Sequence, residues 1–201
     1  MKIYFIEAEK DTSRSPTLDG FEKTTQKFIC PSVGLLNIAS LSPKNISVKI
    51  IDCKIEEIDF NDLPDVAAIS YKTMSSKQAY DLARGFRDKK IKVILGGIHA
   101  SLLPNEAKQY ADAVVIGEGE ELWPQIIDDL QKNQLKPFYK MSKLTDISGL
   151  PLPRLDLLKT ERYICHAIQT SRGCSLNCDF CPTQEMFGGV FRLKPVKKVI
   201  A

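Results

Sequence analysis

Three cysteines near the end of the chain have the spacing of a metal-binding loop. Cys174, Cys178 and Cys181 form a C-x3-C-x2-C run. Three thiolates from one short loop can ligate three irons of an iron–sulfur cube and leave the fourth iron open to a small molecule. The alternatives are a zinc site without its fourth ligand, for which His166 is the nearest candidate, or three unrelated thiols. We interpret the cysteines as cluster ligands.

The residues before these cysteines alternate between short apolar runs and helical periods. Strands are predicted at Ile3–Ala8, Ser47–Asp52, Val66–Ser70, Lys92–Leu95 and Ala113–Ile116. Helices are predicted at Val33–Leu41, Ser76–Lys89, Pro104–Tyr110 and Glu118–Gln131. Short apolar strands separated by helices indicate a parallel sheet covered on both faces. We therefore predict an α/β fold, a doubly wound (Rossmann-like, flavodoxin-like) five-stranded parallel sheet over residues 1–135, with a polar loop at Glu9–Lys27.

The loops that follow the predicted strands are rich in glycine and hydroxyl groups. Such sheets bind ligands at the carboxyl ends of their strands. Glycine lets backbone approach a flat ligand, and hydroxyls offer hydrogen bonds without bulk. A single Gly-Gly turn is more often plain turn chemistry, so the prediction depends on the joint placement of these loops. The candidate binding residues are Ser70, Tyr71, Thr73, Gly96, Gly97, His99, Ala100, Gly117, Glu118, Gly119 and Glu120.

Composition is ordinary for a globular protein, with 43% hydrophobic residues, 26% charged residues and a net charge of +3. Nothing in it calls for nucleic acid or a membrane, and no apolar run reaches the ~18 residues of a membrane span. Six cysteines without a secretory signal predict reduced thiols in a cytoplasm. We predict that Cys30, Cys53 and Cys165 are small buried hydrophobes, that Trp123 is a core residue, and that Arg192–Lys198 is a solvated helix face.

The segment from Gln169 to Pro182, with Phe180 just before the third cysteine, resembles the cluster loop of radical S-adenosylmethionine (SAM) enzymes. The resemblance implies that Cys174, Cys178 and Cys181 hold a 4Fe-4S cluster whose open iron chelates S-adenosylmethionine. One electron from the cluster then yields a 5′-deoxyadenosyl radical. The resemblance also implies that the Phe180 backbone lies near the adenine, and that flavodoxin or ferredoxin supplies the electron.

Three further segments resemble the cobalamin (B12)-binding domain that precedes the radical SAM barrel in one branch of that family. They are Pro31–Ala39, Leu95–Ala100 and Val115–Glu120, and the stretch Leu150–Arg154 resembles the branch's linker. The resemblance implies that the glycine-rich loops accommodate the lower face of the corrin and its nucleotide tail. It further implies radical methylation or rearrangement of an unidentified small-molecule substrate. A bulky residue at Gly97 is then expected to abolish binding without disturbing the fold.

One departure from cobalamin proteins leaves two interpretations open. Many of them ligate cobalt through the histidine of an Asp-x-His-x-x-Gly motif, which this sequence lacks. Either cobalamin binds without a protein histidine on cobalt, or the domain has lost the cofactor and serves as a scaffold or docking module. His99 would lie beside the ligand, or would simply hydrogen-bond the neighbouring loop.

Length limits what this chain can do alone. A complete α/β barrel takes about 200–250 residues, whereas only residues 163–201 follow the predicted linker at 136–162. We therefore expect an N-terminal fragment of a longer enzyme that is inactive by itself, with Tyr163–Thr170 as the first strand of a truncated radical SAM domain. Its three cluster cysteines should be metal-free after aerobic preparation. We expect the residues that contact the substrate to lie in the rest of the barrel, so no catalytic residue is predicted in this chain.

Overall fold

The computed structural model describes residues 1–9 and 30–200, so the predicted polar loop lies outside the described residues beyond Glu9. Six parallel strands form one sheet in the order β2-β1-β3-β4-β5-β6. They are β1 Lys2–Ala8, β2 Ser47–Asp52, β3 Val66–Tyr71, β4 Lys92–Gly96, β5 Ala113–Ile116 and β6 Phe138–Lys140. The strand order reverses between β1 and β3, as in flavodoxin-like sheets. The predicted doubly wound parallel fold is confirmed.

Helices cover both faces of this sheet because its strands are apolar on both sides. The helices of the domain are α1 Gly34–Ser40, α2 Ser76–Asp88, α3 Ile98–Leu102, α4 Pro104–Lys108 and α5 Trp123–Gln131. The core on one face includes Ala79 and Phe86 of α2. The core on the other face includes Leu35 of α1 and Trp123 and Ile126 of α5, so the prediction that Trp123 is a core residue is confirmed.

The sheet has one strand more than the five predicted. Strand β6 lies in the predicted linker, and only its central residue, Tyr139, is buried. Helix α5 begins at Trp123 rather than at the predicted Glu118, with Pro124 in its first turn, where proline is well tolerated. The six preceding residues form a loop instead, which we call the rim loop (residues 117–122).

The end of the chain packs against this domain without forming the predicted barrel strand. Residues 163–170 contain no strand beyond a single bridge at Tyr163, whose hydroxyl donates to Asp52 Oδ2 at 2.7 Å. The strands there are the antiparallel pair β7 Ser171–Arg172 and β8 Arg192–Leu193, and the helices are α6 Thr183–Phe187 and α7 Val196–Val199. We call residues 171–193 the cysteine segment. Short 3-10 turns lie at Thr73–Ser75, Leu155–Leu157 and Thr160–Arg162.

Several expectations about single residues are wrong. Cys30 and Cys165 are exposed, not buried as predicted, whereas Cys53 is half-buried and packs against the core. The predicted solvated helix face at Arg192–Lys198 is instead a strand followed by a single helical turn, and Arg192 is largely buried. Among the helices of residues 1–9 and 30–200, none is long and apolar enough to cross a membrane.

Candidate functional site

A cavity of about 270 Å³ opens at the carboxyl ends of β1, β3, β4 and β5, where the strand order reverses. We call it the strand-end cavity. Its walls are mainly apolar, with side chains from the sheet, from α1 and from Trp123. The cysteine segment contributes Arg172, Met186 and Phe187, so it lies over the cavity. The volume falls just below the ~300–1,000 Å³ of small-molecule pockets, so a large ligand would place only one part of itself inside.

Most of the predicted binding residues line this cavity. Those that do are Ser70, Tyr71, Gly96, Gly97, Gly117, Glu118, Gly119 and Glu120. Thr73, His99, Ala100 and Phe180 do not belong to the lining. Ala100 is fully buried in the core, and the Phe180 side chain is 90% exposed to solvent. A cofactor contact from these four residues stays a prediction.

His99 is held by protein groups on both ring nitrogens. Its Nδ1 lies 3.1 Å from Thr73 Oγ1 and its Nε2 lies 3.4 Å from Glu106 Oε1. The ring is buried and packs against Tyr71 and Tyr80. These contacts match the second of the two roles considered for His99, a hydrogen bond to the neighbouring loop.

Two adjacent glycines at the end of β4 differ in what a side chain would meet. Gly97 has φ +95°, and a β-carbon there would lie 2.7 Å from the carbonyl oxygen of Tyr71. Gly96 has ordinary strand geometry, and its β-carbon would lie 3.6 Å from Val115 Cβ, a normal contact. Since strand residues alternate between faces, Gly96 shares the cavity side with Ile94. Gly97 is therefore required by the backbone, and Gly96 leaves space for a ligand.

Glu7, which the sequence analysis missed, lines the cavity from the end of the central strand β1. It is buried and stands in register with Asp52 of β2 and Ser70 of β3. Burial, aided by the charges of Glu9 and Asp52, raises the pKa of Glu7 to about 7. An acidic residue inside an apolar central strand was the available signal, because such residues are almost never buried without a reason.

The surroundings of Glu7 hold both signs of charge. Lys72 Nζ donates to Glu9 Oε1 at 2.8 Å, and Lys54 Nζ donates to Glu9 Oε2 at 3.2 Å. Lys54 also lies 3.6 Å from Asp52 Oδ2. The two lysines partly offset the rise in the pKa of Glu7. Near neutral pH this carboxyl is thus divided between its neutral and charged forms.

Glu7 should make the stability of the fold depend on pH between about 4.5 and 7. A raised carboxyl pKa favours the folded state at low pH, and this contribution is lost as pH rises through the folded-state pKa. Moving from pH 4.5 to pH 8 should lower the free energy of unfolding of the unmodified chain by up to about 3 kcal/mol relative to Glu7→Gln. Chemical denaturation across this range measures the difference. The control Glu57→Gln removes a charge from an exposed position; parallel pH curves for Glu7→Gln and the unmodified chain would contradict the assignment.

The rim loop is bound to the cysteine segment by buried ion pairs. Arg192 forms a bidentate pair with Glu118, donating to its two oxygens at 2.6 and 2.7 Å. Arg172 donates to Glu120 Oε1 at 2.6 Å, and it lies 3.4 Å from Glu118. Burial opposes ionisation of Glu118, but Arg192, the Thr145 backbone N–H and Arg172 outweigh it and lower its pKa. These two glutamates line the cavity while their carboxylates contact arginines.

The three cysteines are not part of the cavity lining and are not gathered around one point. Each thiol is partly exposed. Within the described ranges, no group of three or more His, Cys, Asp and Glu side chains is close enough together to hold a metal ion. Cys181 Sγ lies 3.1 Å from Thr183 Oγ1, and this hydrogen bond lowers the pKa of the thiol. The donor chemistry therefore fits a thiolate-held metal centre, while the arrangement of the donors does not form one.

Comparison with known proteins identifies the family of this domain. The B12-binding domain family matches residues 23–127, which include α1, the strands β2 to β5 and the rim loop. This range is more than half of the chain. The chain belongs to the B12-binding domain family. The matched range contains Gly96, Gly97 and the rim loop, whereas the part of the cavity lining from β1 and from the cysteine segment lies outside it.

Curated relatives extend the match beyond the B12-binding domain. The bacteriochlorophyllide d C-8(2)-methyltransferase of Chlorobaculum tepidum is 30% identical over an alignment of 168 positions, which covers 80% of this chain and 37% of that protein. An uncharacterized methyltransferase of Pyrococcus horikoshii is 30% identical over an alignment of 203 positions, which covers 85% of this chain and 44% of the relative. The hopanoid C-2 methylase of Rhodopseudomonas palustris is 28% identical over an alignment of 176 positions, which covers 85% of this chain and 33% of that protein. The chain thus spans less than half the length of these relatives.

Proposed function

We propose that this chain is the cobalamin-binding part of a radical SAM methyltransferase acting on an unidentified small molecule. The observation that carries the proposal is the placement of the cysteine segment directly over the strand-end cavity of a B12-binding domain. Relatives named methyltransferases and methylases support a methyl-transfer reaction. Radical rearrangement is the other outcome that the cluster chemistry would permit.

The cavity fits one part of a cobalamin molecule. Phe5, Leu35 and Ile94 offer apolar walls, and Gly96 leaves room at the end of β4. A corrin with its nucleotide tail is far larger than the cavity, so the tail or one edge of the ring would enter. Ser70 offers a hydroxyl at the wall, and Glu7 can donate a hydrogen bond when neutral or accept one when charged.

The cysteine segment would supply the second cofactor site. Cys174, Cys178 and Cys181 offer three thiolates for a 4Fe-4S cluster, and the fourth iron would be left for S-adenosylmethionine. Bound cobalamin would supply a transferable methyl group, and a bound cluster would supply one electron for cleaving S-adenosylmethionine. The protein's own part is to hold the two sites side by side and to keep water out of the apolar cavity.

The alternative is that the domain has lost its cofactor and serves as a scaffold or docking module. Desalting after incubation with hydroxocobalamin distinguishes a cobalamin-binding domain from a docking module. If the chain binds the cofactor, it should retain close to one equivalent of corrin absorbance. Loss of all corrin on desalting, from a chain with intact circular dichroism, would favour the docking module.

We expect the chain to carry little iron after aerobic purification, and to be inactive in cleaving S-adenosylmethionine. Residues 173–182, which carry the three cysteines, contain no helix or strand, and the thiols are partly exposed. Iron analysis and absorbance near 400 nm measure this, with a Cys178→Ala variant as the baseline. A full complement of cluster iron in the aerobic chain, absent from Cys178→Ala, would show that the loop is preorganised by itself.

A further inference from the structure

Glu118 and Glu120 of the rim loop have a role that their position at the cavity does not suggest. Their side chains line the cavity wall, yet the carboxylates point into contacts with arginines that flank the cysteines in sequence. Arg172 lies two residues before Cys174, and Arg192 lies on β8, which pairs with β7. Each end of the cysteine segment is therefore fixed to the rim loop by one glutamate.

The contacts are those of a built network rather than of surface charges. The Glu118 side chain is 1% exposed and that of Glu120 is 5% exposed. Arg192 also donates to the carbonyl oxygens of Thr145 and Phe187, at 2.8 and 2.9 Å. The backbone N–H of Thr145 donates to Glu118 Oε2 at 2.8 Å. Charges buried to this degree persist only when they are paired and hydrogen-bonded, and removing one partner is strongly destabilising.

We propose that Glu118 and Glu120 are positioning residues that tie the cysteine segment to the rim of the strand-end cavity through Arg192 and Arg172. The rim loop and Arg172 also line the cavity. Order in the cysteine segment and occupancy of the cavity therefore stabilise each other. The mutual stabilisation rests on the proposed function, since it requires a ligand in the cavity. Coupling of this kind is reciprocal, so either event promotes the other.

Amide hydrogen exchange of the chain without ligand tests the tie itself. Glu118→Gln and Glu120→Gln should each speed exchange in residues 170–194 by at least about tenfold, and leave β1, β3 and β4 within about twofold of the unmodified chain. Glu121→Gln is the matched control, because that side chain is on the same loop but exposed. The effects of Glu120→Gln and Arg172→Gln on exchange should not add in the double variant, because both changes remove the same contact between Arg172 and Glu120. Unchanged exchange in residues 170–194 in both single variants would overturn the proposal.

A second set of measurements with hydroxocobalamin tests the coupling. A saturating amount should slow exchange of residues 170–194 at least about threefold in the unmodified chain and in Glu121→Gln, but not in the double variant Glu118→Gln/Glu120→Gln. Binding that leaves exchange in this segment unaltered would overturn the coupling. Absence of any hydroxocobalamin binding would overturn the proposed function and the coupling with it, while the ligand-free exchange still decides whether the glutamates hold the segment.

Discussion

Replacing Gly97 by valine should lower the free energy of unfolding by at least about 4 kcal/mol. The backbone there, at φ +95° and ψ −173°, lies in a region that only glycine adopts readily. A β-carbon would also stand 2.7 Å from Tyr71 O and 2.9 Å from Tyr71 N, both backbone atoms of β3. Thermal or chemical denaturation of the variant measures the loss. The effect is on the fold of the chain and needs no ligand.

This backbone geometry contradicts the expectation that a bulky residue at position 97 would abolish ligand binding and leave the fold intact. The collision is with the neighbouring strand, so loss of binding in a Gly97 variant would not locate the ligand. Gly96→Ala serves as the control because its methyl group makes only an ordinary contact with Val115. Its stability should stay within about 1 kcal/mol of the unmodified chain. Equal stability of Gly97→Val and Gly96→Ala would contradict the backbone argument.

Gly96→Leu should weaken hydroxocobalamin binding by at least about 100-fold. The added side chain would fill space on the cavity side of β4, beside Ile94 and Val115, so the ligand would have to displace it. The main chain is not strained at this position, and the fold should survive. An absorbance titration measures the affinity, and hydrogen exchange in β1 and β3 reports whether the sheet is intact. Gly96→Ala, with one methyl group, should lose far less affinity. Equal affinity for Gly96→Leu and the unmodified chain would place the ligand elsewhere.

The strands of the sheet could be predicted because each is a short apolar run, as expected for parallel strands buried on both faces. Strand β6 gave no such signal, since Phe138 and Lys140 are exposed and only Tyr139 faces the core. The run at 163–170 was apolar enough to suggest a strand. Tyr163, the first residue of that run, is instead held in a buried position, where its hydroxyl donates a hydrogen bond to Asp52, 111 residues away in sequence. A long-range contact of this kind leaves no mark in a local pattern.

The candidate site was predictable where it consists of strand-end glycines, and not where it consists of ion pairs. Gly96 and Gly97 stand out because they follow an apolar run directly. The prediction that α5 begins at Glu118 was wrong, because the Glu118 carboxylate forms an ion pair with Arg192, 74 residues further along the chain. Charge pairs between distant segments have no sequence spacing that reveals them. The helix therefore begins later, at Trp123, and the preceding residues are free to form the rim loop.

A crystal structure of the chain with hydroxocobalamin would test most directly that the strand-end cavity is the cofactor site. We predict that the ligand lies at the carboxyl ends of β1, β3, β4 and β5, within contact distance of Gly96 and beneath the cysteine segment. We also predict that Arg172 and Arg192 keep their contacts with Glu120 and Glu118. Hydroxocobalamin bound on any other face of the domain, with the strand-end cavity unchanged, would contradict this account.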